Sequence, residues 1–97
     1  MKSVLAAVLL VLISQNLFAG QFSAETCKSA EGLAKRVYIA KSNGMTYKRY
    51  LDIEGTSDSS PQRRMSEAIE RGIFLSGKVN SVEMAGQFGF STCITWN

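Results

Sequence analysis

Residues 24–42 read AETCKSAEGLAKRVYIAKS. At 100° per residue, Cys27, Ala30, Leu33, Ala34, Val37 and Ala40 fall on one face, and Lys28, Glu31, Lys35, Arg36 and Ser42 on the other, so the spacing predicts an amphipathic helix over 24–42. Glu31 precedes Lys35 by one helical turn, in the favourable order. Asn43-Gly44 follows, and both residues tolerate the left-handed conformation that ends helices. A helix of this kind needs partners for its small, apolar face, and it carries one of only two cysteines in the 97-residue chain.

Downstream, the same signals repeat. Thr46 can cap a short second helix through about Glu54, with Met45 before the cap placed to pack on Tyr50. Gly55 to Ser60 is polar and reads as a loop. Ser60-Pro61 is a cap followed by proline at the first helical position, which predicts a third helix to about Ser76, stopped by Gly77. Its inner face reads Met65, Ala68, Ile69, Gly72, Ile73 and Leu75, with Glu67, Glu70 and Arg71 outside. Asn80 or Ser81 can start a fourth helix. Val82, Ala85, Gly86, Gly89 and Cys93 form a small-residue stripe that would let it approach the first helix. Gly86 and Gly89 each cost a helix about 1 kcal/mol, and Phe88, Phe90, Thr92, Ile94 and Trp96 alternate like a strand. The expectation is therefore helix to about Phe88 and extended or irregular chain beyond. A single strand has nothing to pair with, so the fold class is all-α: a bundle of about four short helices.

Upstream, residues 1–20 have the layout of a cleaved secretory signal. Met1 and Lys2 are followed by an apolar run from Val4 to Ile13, polar Ser14 to Asn16, and Leu17-Phe18-Ala19 with a small residue for cleavage. The cut is placed after Ala19 or Gly20, with Ala24 as the alternative. The run is far shorter than the ~20 residues a spanning helix needs. The chain is read as not membrane-spanning, with one small helical domain over 21–97 and a periplasmic or secreted bacterial location. A core this small usually carries a staple, and an oxidising compartment makes Cys27–Cys93 the candidate, against an intermolecular disulfide, a reactive thiol or a metal pair. Closing so long a loop contributes roughly 4 kcal/mol.

The chemistry is narrowed mainly by what is missing. The chain has no histidine, which removes the commonest general base and most zinc or copper ligand sets. No lysine beyond the leader has serine three residues earlier, so a Ser-x-x-Lys nucleophile is absent. Glu67 and Glu70 are read as solvated charge on the outside of the third helix. Asp52, Glu54, Thr56 and Asp58 mimic part of a calcium loop, but Ser57 stands where glycine is required and Arg63 where glutamate is, so that reading is rejected. No cofactor, metal site or catalytic residue is expected. Without Lys2, ten Lys and Arg face eight Asp and Glu, too mild a bias for a nucleic-acid partner.

Two features suit binding. Ile39 lies among the charges of the first helix and Phe74 on the outer side of the third. Off-face apolar residues can mark partner surfaces, but packing on a loop or the aromatic tail is the favoured explanation for both. Lys35, Arg36, Tyr38 and Lys41, with Tyr47, Lys48, Arg49 and Tyr50, make a basic-aromatic cluster, which would suit a protein interface or an anionic lipid or wall polymer, but a solvated face with the tyrosines half in the core is the favoured explanation. The leading functional expectation is a non-enzymatic, exported protein-interaction module: an inhibitor, an immunity-type protein or an envelope accessory. An envelope-surface binder is the alternative, and a small hydrolase the third.

The segment Ala40-Lys41-Ser42-Asn43-Gly44-Met45-Thr46, together with Ser81-Val82-Glu83-Met84-Ala85 leading to Cys93, resembles small exported two-cysteine helical proteins of bacteria and their phages. The resemblance implies an all-helical, disulfide-linked fold and supplies no catalytic residues; the expectation of an unidentified protein partner rests on the excluded chemistry and the surface features above. Lys41 stands where that pattern has arginine.

Overall fold

The computed structural model describes residues 21–54 and 59–97. The leader read in residues 1–20 and the loop residues Thr56 and Asp58 lie outside them. The described chain forms four helices: α1 Ala24–Ser42, α2 Tyr47–Glu54, α3 Pro61–Leu75 and α4 Val82–Ile94. There is no strand among the described residues. The fold is an all-α bundle closed by Cys27–Cys93, whose Cα atoms lie 5.4 Å apart.

Each helix starts where a short polar side chain satisfies free amides. Ser23, Ser60 and Ser81 accept from the backbone N–H groups of Thr26, Arg63 and Met84, and Thr46 Oγ1 accepts from the Arg49 N–H at 3.2 Å. The stops also follow the glycines. Gly44 and Gly77 have φ of 95° and 69°, a region in which a side chain would be strained.

The cross-contacts set the directions. Cys27 meets Cys93, Gly89 lies against Ala30 and Ala34, and Gly86 lies against Glu31 and Lys35, so α4 runs antiparallel to α1. Lys41 Nζ donates to the Ile73 carbonyl at 2.9 Å, which brings the last turns of α1 and α3 together. A cation there also offsets the free carbonyls of a helix end. At the opposite pole, the Gln21 N–H donates to the Trp96 carbonyl at 2.8 Å. The buried residues Cys27, Ala30, Ala34, Val37, Met65, Ile69, Ile73, Phe74, Ala85 and Cys93 form one core.

Four sequence expectations are corrected. The fourth helix does not stop near Phe88 but continues to Ile94. The glycines that weaken it in isolation are where it touches α1: a Cβ on Gly89 would stand 2.5 Å from Ala34 Cβ and 2.8 Å from the Ala30 carbonyl oxygen. Close packing and the disulfide outweigh their helix cost. Phe74 is not on an outer surface but buried, 9% exposed, because α2 lies over it. Glu70 is likewise not solvated, at 1% exposed, whereas Leu75, expected inside, is 61% exposed in the last turn of α3.

Candidate functional site

The most unusual local chemistry lies between α2 and α3. The two helices run antiparallel: Tyr47 and Tyr50 reach Phe74, Tyr50 reaches Glu70, and Glu54 reaches Arg63. The rings of Tyr47 and Tyr50 lie 5.5 and 5.4 Å from that of Phe74, tilted by 32° and 47°, within the range of favourable aromatic pairs. The Tyr50 hydroxyl donates to Glu70 Oε2 at 3.0 Å. Glu70 Oε1 is buried without a hydrogen-bond partner among the described residues.

Arg63 organises the rim. Its Nε lies 3.2 Å from Glu67 Oε1, and its Nη1 lies 3.4 Å from Glu54 Oε2 and 4.0 Å from Glu70 Oε2. Burial opposes its charge, but Glu70, Glu54 and Glu67 outweigh that and raise the guanidinium above its ordinary value. Burial, reinforced by the neighbouring Glu54 carboxyl, pushes Glu70 up to about 7 against the lowering effects of Tyr50 and Arg63. Burial and then the charge of Glu70 push the Tyr50 phenol well above its usual range, so it remains a hydrogen-bond donor. The arrangement can hold a proton between acidic groups near neutral pH.

The residues singled out for binding separate into different environments. Ile39 is 48% exposed. Tyr47 and Tyr50 turn inward onto Phe74, while Lys48 and Arg49 remain exposed on α2. Lys35 lays its methylenes on Gly86 of α4. Arg36 is exposed and lines an open groove of about 200 Å³ with Leu33, Gln62, Met65 and Ser66. Arg49 lines another, of about 440 Å³, with Ala40, Asn43, Gly44 and Met45. A third, about 220 Å³, is lined by Gln21, Pro61, Arg64, Trp96 and Asn97. None of these three grooves carries a carboxylate side chain.

Sequence reasoning missed Glu70. The signal that could have found it is its position one turn before Phe74: both residues share the face that a short aromatic helix would cover. The exposed apolar residues also extend beyond Ile39 to Leu51, Ile53, Leu75 and Met84. No group of three or more potential metal-binding side chains occurs among the described residues, and none of their helices is long and apolar enough to cross a membrane. Comparison with known proteins gives no match, whether to a family, to a curated protein or to a solved structure.

Proposed function

We propose that the chain is an exported, non-enzymatic protein-interaction module, acting as an inhibitor, an immunity-type protein or an accessory of an envelope assembly. The observation that carries this reading is that three large apolar side chains are exposed toward the same end of the bundle. Ile39 is 48%, Leu75 61% and Met84 42% exposed. They belong to the last turns of α1 and α3 and the first turn of α4, which the Lys41–Ile73 bond and the antiparallel α1–α4 pairing bring to the same end of the bundle. Exposed apolar residues carried toward one end of a covalently closed frame are available to a protein partner. The bridge Cys27–Cys93 and the lack of a membrane-crossing helix among the described residues are compatible with export.

The test uses the purified protein as bait in an envelope extract. A specific protein should be retained, and Ile39→Asp combined with Leu75→Asp should abolish retention while leaving the helical signal intact. Undiminished retention by the double variant would remove this pole as the interface.

A second reading has one observation of its own. Lys48 and Arg49 stay exposed on α2 beside Ile53, which is 66% exposed. A mixed cationic and apolar surface suits anionic lipid or wall polymer. Co-sedimentation with anionic vesicles or wall sacculi that weakens with added salt would favour it over a protein partner.

A further inference from the structure

The second helix is attached unlike the other three. It has eight residues, none of them buried. Two tyrosine rings on Phe74, the Tyr50 hydroxyl on Glu70 and the Glu54–Arg63 ion pair hold it to α3. Without α2, Phe74 and Glu70 would lie on the open side of α3.

Glu70 makes that closure depend on charge. When neutral, the carboxyl accepts from Tyr50, and its other oxygen has no hydrogen-bond partner among the described residues. When ionised, it is a buried anion with one oxygen unpartnered among the described residues, and such a group is far more costly to keep from water. The surrounding charges do not neutralise it. From α2 it faces Tyr50 and the Glu54 carboxylate. On α3, the single guanidinium of Arg63 is shared among Glu54, Glu67 and Glu70. From α1, Lys41 reaches α3 but is bound to the Ile73 carbonyl. On α4 the one charged residue is Glu83, exposed in the first turn.

We propose that α2 is a latch, shut over Phe74 while Glu70 is uncharged and released when that carboxyl ionises. Lifting α2 brings water to both oxygens of Glu70 and moves the Glu54 charge away, so opening becomes easier as pH rises. Release uncovers an aromatic side chain, Phe74, beside a fresh negative charge. The raised proton affinity of Glu70 sets this change near neutrality. The latch stands whether or not the exposed pole binds a protein.

Hydrogen exchange of the purified protein tests it, with rates corrected for the intrinsic effect of pH. Between about pH 5.5 and about pH 8.5, protection of the α2 amides should fall by about tenfold or more relative to those of α1 around Ala34 and Val37. Glu70→Gln should remove that fall. Glu54→Gln removes the like charge, so it should shift the midpoint of release to lower pH, and it serves also if Glu70→Gln fails to fold. Equal α2 protection at both pH values, a fall retained in Glu70→Gln, or an unmoved midpoint in Glu54→Gln would each overturn the latch.

Discussion

One methyl group separates glycine from alanine, and at position 89 that methyl has no space. It would press on Ala34 and on the Ala30 carbonyl at 2.5 and 2.8 Å. Gly89→Ala should therefore lower stability by about 1–3 kcal/mol, the usual cost of overpacking, despite alanine's better helix propensity. Gly32 is the control, because a Cβ there meets only the mobile Arg36 Nη1 at 3.4 Å. Gly32→Ala should stabilise by up to about 1 kcal/mol. Denaturant titration of the two variants checks both signs. Glu70 acts through protonation. Its carboxyl holds a proton more tightly in the folded protein than in the unfolded chain. Its contribution to stability is then full below the ordinary carboxylate range and is lost as pH rises through about 7. Thermal unfolding followed across that window should show Tm falling with pH, and Glu70→Gln should flatten the slope.

At the level of elements, α2 depends on α3 through Phe74. Phe74→Ala should free the α2 amides to exchange while the α1 and α4 amides stay protected, and exchange mass spectrometry distinguishes this local loss from general unfolding. The elements themselves were largely legible in the chain. Thr46 and Ser60 marked two starts and Asn80 or Ser81 a third, and Gly44 and Gly77 marked two stops, because capping is chemistry between near neighbours. The end of α4 was not legible. The cost of Gly86 and Gly89 is local, but the packing against Ala30, Ala34 and Lys35 that offsets it is formed only in the bundle. Phe74 and Glu70 were misplaced for the same reason: a helical wheel shows which residues share a side, not what later folds over it. The candidate site was thus half visible. Its tyrosines stood out as a basic-aromatic cluster, but their inward turn depended on how α2 docks.

For the whole molecule, the Cys27–Cys93 bridge closes a separation of 66 residues. Replacing both cysteines by serine should cost roughly 4 kcal/mol through the loop entropy returned to the unfolded chain. Calorimetry of the double variant beside the oxidised protein measures it, and equal heat resistance of the two would show that the bridge contributes little.

The bond from the Gln21 amide to the Trp96 carbonyl carries a topological consequence. Because these two points touch, the polypeptide can be rewired: spliced from Asn97 to Gln21 and reopened in the exposed turn at Gly77 and Lys78, it would begin with α4 and finish with α3. The helices and the sulfur–sulfur link would keep their places, yet that link would now span a circuit of only about ten residues. It would restrain the denatured chain by about 1–2 kcal/mol less than in the original order. Such a permuted protein should fold to the same bundle, with a smaller difference in unfolding free energy between its oxidised and reduced forms.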